Sequence, residues 1–237
     1  MNKFLTFKSF SIIFILFLAL EIVCDITIDS RWGLYLTKPI LMPLLIMWAK
    51  LASNRQNDII KLLYISLFFS MLGDIFLMFH TEIFFLFGLS SFLIAHILYV
   101  WMFVKEINTG SAVPMNQKIL RGLPFVAFYI IFMSIAIPYI VEIDSAMVAP
   151  VMVYALTICV MGFSASLRSR AVSPTSYAWV LLGALAFTIS DTCIAINKFI
   201  NPIPYPTIPI MTLYGIGQLL ITGGILYENN KVENFAK

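Results

Sequence analysis

Apolar runs of about 20 residues follow one another almost without a break along this chain of 237 residues. A helix needs about that length to cross the hydrocarbon core of a bilayer. Only helices and closed barrels satisfy every backbone group there. The runs predict spans at about 9–28, 34–52, 59–79, 83–104, 120–141, 146–167, 177–200 and 206–227. The longest polar break, around 107–118, is short, so residues 1–237 read as a single transmembrane domain. Composition agrees: 61% of residues are apolar and 11% charged, against about 25% charged in soluble domains. The expected fold is an all-α membrane protein, a bundle of eight transmembrane helices.

Charge sets the expected orientation. With the N-terminus inside, the inner segments hold twelve of the Lys and Arg residues. The outer segments hold three, Arg31, Lys38 and Lys198. Cytoplasmic loops carry such an excess, so both termini are expected to face the cytoplasm of a cell (inner) membrane. Trp32, Tyr35, Trp48, Tyr99, Trp101, Tyr177, Trp179, Tyr205 and Tyr227 fall near the span ends, as an aromatic belt does. Lys3 and Lys8 before an apolar run resemble a signal peptide, but Glu21 and Asp25 follow and no small-residue cleavage site appears. The first run is therefore read as a retained helix. Pro43 and Pro124 fall inside spans, while Pro138 is placed at an end. The run 201–206, with prolines at 202, 204 and 206, separates the last two helices. Cys24, Cys159 and Cys193 sit in apolar segments without pairing or metal spacing and read as small apolar residues.

An ionisable group deep in a span costs at least about 2.5–3.5 kcal/mol on insertion scales, so such groups mark candidate function. They are Glu21, Asp25, Lys38, Asp74, His96, Asp191 and Lys198. Glu21 and Asp25 are one turn apart on one helix face, available to pair with Lys38 or to tie helices together. Lys38 and Lys198 also fit cations that snorkel to the interface. His96 and Tyr99 fit a hydrogen-bonded helix contact. Asp74 and Asp191 are lone acids in apolar helices, the first near a helix end and the second read as near mid-span. Ala186 and Ser190 are spaced for close helix packing, which puts Asp191 near an interhelical face. Tyr214 and Gln218 share a face and can offer hydrogen bonds. One outward-opening cavity is expected to collect these groups. Asp74 and Asp191, 117 residues apart, also fit a parallel four-helix repeat, although the offsets of flanking matches drift.

With His80 and His96 the only histidines, a three-histidine zinc site is impossible. No phosphate-binding glycine loop or nucleophile elbow is present. What remains is carboxyl acid–base chemistry without a cofactor, or proton coupling in a transporter of a small solute or lipid. A non-catalytic membrane scaffold is a third reading. Membrane lipids are the expected surroundings; nothing points to nucleic acid or to an obligate protein partner.

Five segments carry a family likeness: residues 38–43 (Lys-Pro-Ile-Leu-Met-Pro), 73–78 (Gly-Asp-Ile-Phe-Leu-Met), 87–99, 183–191 and 214–221. In that order, on helices two, three, four, seven and eight, they resemble the YhhN or lysoplasmalogenase family. The resemblance implies an eight-helix enzyme that hydrolyses the vinyl ether of lysoplasmalogens to a fatty aldehyde and glycerophospho-ethanolamine or -choline, with a lysophospholipid as substrate. The family's suspected catalytic acids match Asp74 and Asp191. The chemistry suits such a pair. A vinyl ether must be protonated on carbon, giving an oxocarbenium ion that water captures as a hemiacetal. One acid must stay protonated, which burial in an apolar site favours, and a second must stay ionised, as in glycosidases. Asp191 is the favoured acid and Asp74 the carboxylate. Lys38 is suited to hold the substrate phosphate, with Glu21, Asp25, His96, Tyr214 and Gln218 as further substrate-binding residues.

Overall fold

The polar breaks in the sequence fall at helix ends. The computed structural model describes residues 6–27, 38–79 and 81–234. Within them run α1 (Phe7–Thr27), α2 (Leu41–Ala52, entered through a 3₁₀ turn, Lys38–Ile40), α3 (Asp58–Leu77), α4 (Glu82–Ile107), α5 (Met115–Asp144), α6 (Val148–Leu167), α7 (Pro174–Ala195) and α8 (Thr207–Asn234). Side-chain caps start several of them. Asn57 accepts from the Ile60 amide (3.0 Å) and Thr81 from the Phe84 amide (3.4 Å). Ser173 caps α7, whose first residue is Pro174, a position where the missing N–H costs nothing.

Six stretches are long and apolar enough to cross a membrane: Phe7–Thr27, Asp58–Leu77, Glu82–Ile107, Met115–Arg170, Pro174–Ile200 and Thr207–Lys231. Eight spans were expected. The difference has two sources. Met115–Arg170 counts as one stretch of 56 residues but holds two helices: Asp144 is extended, and α5 and α6 pack antiparallel, with Gly122 against Phe163 and Gly162 against Phe125. The second helix has 12 residues, about 18 Å at 1.5 Å per residue; residues 38–40 of its expected span form the 3₁₀ turn, and 34–37 lie outside the described residues. So do Arg31, Trp32, Tyr35 and His80.

Pro138 is not at an end. Both Pro124 and Pro138 lie inside α5, which membrane helices tolerate because neighbouring groups re-satisfy the freed carbonyls. Beyond Ala195, α7 continues as a π-helical turn, Ile196–Ile200.

The main core joins Phe14 of α1, Leu45 and Trp48 of α2, Leu63 and Leu67 of α3, Tyr99 and Phe103 of α4, Met161 of α6, Phe187 of α7 and Tyr214 of α8. By contrast α5 buries only Met133, Ala136 and Ile140 among its described side chains and exposes Leu120, Leu123, Val126, Ile130 and Ile131. α7 and α8 meet backbone to backbone. A Cβ on Gly183 would stand 2.7 Å from the Gly217 carbonyl oxygen, and one on Gly217 2.9 Å from that of Gly183.

The two ends of the bundle differ. One end carries Arg55, Lys105, Arg168 and Lys231, and its polar side chains surround a pocket of about 330 Å³ lined by Arg55, Glu106 and Asn229 among others. Arg168 donates to Glu106 through Nε (2.7 Å) and Nη2 (3.2 Å), and to Ser176 Oγ (2.9 Å), all buried. Glu228 accepts from the Ser173 amide at 2.8 Å, and Asn57 donates to Asn229 at 2.9 Å. The opposite end carries Lys38 and Lys198, with Leu77, Phe85 and Val151 around a cleft.

Candidate active site

Asp74 is held from three sides. It lies one turn from the end of α3, next to Gly73, where a Cβ would meet the Phe92 ring at 2.5 Å. The missing side chain thus lets α4 seat an aromatic ring directly against the acid's helix. Tyr214 of α8 donates its hydroxyl to Asp74 Oδ2 at 2.7 Å. Lys38 lies within charge–charge reach of Asp74 and of Glu21 on α1. Glu21 is fully buried, and neither of its carboxyl oxygens has a hydrogen-bond partner.

Asp191 meets different neighbours. Tyr154 of α6 donates to its Oδ2 at 2.9 Å. His96 Nε2 of α4 stands 3.6 Å from the same oxygen, beyond hydrogen-bond distance, and both imidazole nitrogens are buried without a partner. The imidazole packs edge-on against Phe187, with ring centroids 4.6 Å apart. Next to Asp191, Ser190 donates to the Ile210 carbonyl at 2.8 Å and pins α7 to α8.

The two environments correspond position by position. Lys38 and Tyr154 are 116 residues apart, Asp74 and Asp191 117, His96 and Tyr214 118. Each aspartate therefore has one neighbour from α2 or α6 and one from α8 or α4. The offsets drift in the sequence because similarity of residue type pairs His96 with Gln218. Contact with the acids pairs it with Tyr214.

Several expectations need correcting. His96 does not bond Tyr99; the Tyr99 hydroxyl donates to Gln218 Oε1 at 2.6 Å, and Gln218 Nε2 donates to Ser70 at 3.0 Å. Asp191 lies four residues past the middle of the helical run Pro174–Ile200, as expected, on the side of the end that carries Lys198. Asp25 bonds Thr207, which ties α1 to α8 at that end. Among the described residues aromatic rings stand between the two acids rather than a shared cavity. Phe92 and Phe187 both pack edge-on against Tyr214, with centroids 5.8 and 5.2 Å away.

Instead there is a narrow apolar cleft with a free volume of about 40 Å³, lined by Leu77, Phe92, Phe132, Tyr154 and Phe199 among others, which reaches Asp191. A polar vestibule of about 380 Å³ adjoins it, lined by Lys38, Thr81, Asn197, Lys198 and Thr207 among others. Leu77, Phe85 and Ile194 line both. Asp74 is off both linings; Phe92 lines the cleft and backs onto Tyr214, which bonds Asp74.

Tyr154 had escaped the sequence reading, since a tyrosine within an apolar helix gives no signal by itself. Its 116-residue offset from Lys38 is the one trace it leaves. Glu106 had escaped too; its buried pair with Arg168 belongs to the opposite end, where Glu106 also lines a pocket.

Helices of membrane-crossing length and apolarity, with buried acids held by tyrosines, define a multi-pass α-helical membrane protein with an acid-bearing core. The YhhN family profile matches residues 33–225, and the chain belongs to that family. It is 31% identical over 180 residues to the human lysoplasmalogenase TMEM86A, covering 73% of this chain and 68% of the relative. It is 32% identical over 136 residues to human lysoplasmalogenase TMEM86B, covering 57% and 51%. It is 23% identical over 152 residues to a lysoplasmalogenase of Mycobacterium tuberculosis, covering 64% and 55%. No solved structure matches it.

Proposed function

We propose that the protein is a membrane-embedded hydrolase that cleaves the vinyl ether bond of lysoplasmalogens. The products are a fatty aldehyde and glycerophospho-ethanolamine or -choline. The reading rests on enzymes of that name among its relatives, rather than on transporters. The observation that carries the chemistry is the contrast between the two buried aspartates. Asp191 faces a phenol and an imidazole and reaches an apolar cleft. Asp74 has an ammonium group within charge–charge reach. The first is suited to act as a carboxylic acid, the second to stay a carboxylate.

The steps follow. Asp191 delivers its proton to the vinyl carbon remote from the ether oxygen. The adjacent carbon becomes an oxocarbenium centre, whose charge the Asp74 carboxylate offsets. Water adds to that carbon and gives up a proton to a carboxylate, and the hemiacetal collapses to aldehyde and alcohol with no cofactor. Tyr154 and Tyr214 orient the two carboxyls through their hydroxyls. A cleft of about 40 Å³ holds water but not an alkenyl chain, since ligand pockets run to about 300–1,000 Å³. Binding therefore widens it, and movement of Phe92 and Tyr214 opens the way to Asp74.

The twelve-to-three charge bias supports eight crossings with both termini cytoplasmic and the cleft opening toward the outer face. The test of function is direct. Purified protein should release aldehyde from a lysoplasmalogen and none from its saturated alkyl ether analogue. Absence of aldehyde from the vinyl ether would refute the assignment.

A further inference from the structure

We propose that the polar vestibule beside the cleft is a phosphate subsite for a single-chain lipid, with Lys198 as a headgroup-binding residue alongside Lys38. The inference rests on the hydrolase reading and extends it to a residue first read as a snorkelling lysine. At the end of the bundle opposite Arg55 and Lys105, Lys38 and Lys198 line the same vestibule of about 380 Å³. Neither makes an ion pair with a described residue. Asn197, Thr81 and Thr207 share the lining and add polar side chains around the two ammonium groups.

Local structure fixes where Lys198 stands. It lies in the middle of the π-helical turn Ile196–Ile200. The turn is closed by the Asn201 amide on the Ile196 carbonyl (2.9 Å), and Asn197 Oδ1 accepts from the Ile203 amide (2.9 Å). The ammonium group lies 4.3 Å from the Phe85 ring centroid and 5.6 Å from that of Phe199. Those ring faces hold the cation while leaving its hydrogen-bond donors without an anionic partner. A lysine that merely reached for the interface would need neither the packed rings nor the anchored turn.

The ligand class follows from what adjoins the vestibule. Phe85 and Phe199 also line the apolar cleft that reaches Asp191, and Leu77, Phe85 and Ile194 form the shared wall. A molecule spanning both spaces must carry an anion at one end and an apolar chain at the other. In a lysophospholipid the glycerol joins the two, which leaves the bond next to the chain at the mouth of the cleft. Lysine binds phosphate as a compact point charge, and two lysines suit a phosphodiester set in an otherwise neutral lining.

The experiment uses full-length protein in nanodiscs and equilibrium binding of three non-cleavable ligands. They are an alkyl-ether lysophospholipid, the matching alkylglycerol without phosphate, and glycerophosphate without a chain. Wild-type protein should bind the lysophospholipid at least tenfold more tightly than the alkylglycerol. K198Q should lose about tenfold of that preference, the effect of removing one charge-assisted hydrogen bond, and K198R should recover most of it. A K198Q protein that keeps the full preference overturns the proposal. Binding of glycerophosphate as tight as that of the lipid also overturns it, since the source would then be a soluble phosphoester. Because no ligand is turned over, the result stands apart from the hydrolase reading. Aldehyde assays can fail while the phosphate preference holds, or the reverse.

Discussion

The Asp74 and Asp191 environments lie 117 residues apart in the chain, and they are built differently. Around Asp74 everything is closed: Tyr214 bonds it, Phe92 seats against its helix, and Lys38 and Glu21 share its charge environment. Asp191 is buried as well, but a narrow cleft reaches it. Its histidine neighbour stops 3.6 Å short. One acid thus lies within charge–charge reach of Lys38 and the other beside neutral, partly unsatisfied groups. Acid–base chemistry with two carboxyls requires such a difference; two identical sites would leave both acids in the same state.

The largest effect should come from deleting either acid. D74N and D191N should each cut aldehyde release by about a thousandfold or more, in the upper part of the range for general acid–base groups. The amide keeps the size of the side chain and its ability to accept from tyrosine, so both proteins should remain folded and membrane-inserted. Substantial activity in one of them would reduce the pair to a single working acid.

The second test moves to the opposite end of the bundle. E106A leaves Arg168 buried without its carboxylate, which should cost about 3–5 kcal/mol of stability. Thermal unfolding should show the loss, while the fraction still folded should hydrolyse substrate at close to the normal rate. A large drop in kcat with no change in unfolding would place Glu106 in the chemistry instead.

A smaller effect should separate the two tyrosines. Y154F and Y214F each remove one hydrogen bond to a carboxylate oxygen, worth about 1.5–3 kcal/mol when an ion is involved. The account expects Y214F to cost more, about tenfold or above, because Asp74 works as the ion. Y154F should change kcat less and mainly shift its pH profile. The reverse order would exchange the roles of the acids. Least of all should follow from K105A, which removes an exposed pair with Asp58 at 3.0 Å; such pairs contribute about 0–1 kcal/mol, and neither activity nor unfolding should move appreciably.

The sequence made some of this plain and hid the rest, for physical reasons. Helix positions were legible because the bilayer demands long apolar runs: α1, α3, α4 and α6 start and stop within three residues of the expected bounds, while α8 runs seven residues past its expected end. Asp74, Asp191 and Lys38 stood out because charge within a span is rare. Tyr154, Ser70 and Phe92 did not, since aromatic and hydroxyl residues are ordinary in membrane helices and gain meaning only from what they touch. The partners of His96 and Tyr99 were misjudged because two residues one turn apart on a helix look like a pair until a third helix supplies Gln218. The correspondence of Lys38 with Tyr154 was invisible because the two side chains share no chemistry. They share only a place beside an aspartate.

The central claim is that a buried acid protonates carbon. Purified wild-type protein should be given a lysoplasmalogen in deuterated water and the aldehyde analysed by mass spectrometry before it can enolise. The account predicts one solvent-derived deuterium on the carbon next to the carbonyl in each turnover. Aldehyde released without that deuterium would contradict protonation of the vinyl carbon, and with it the role assigned to Asp191.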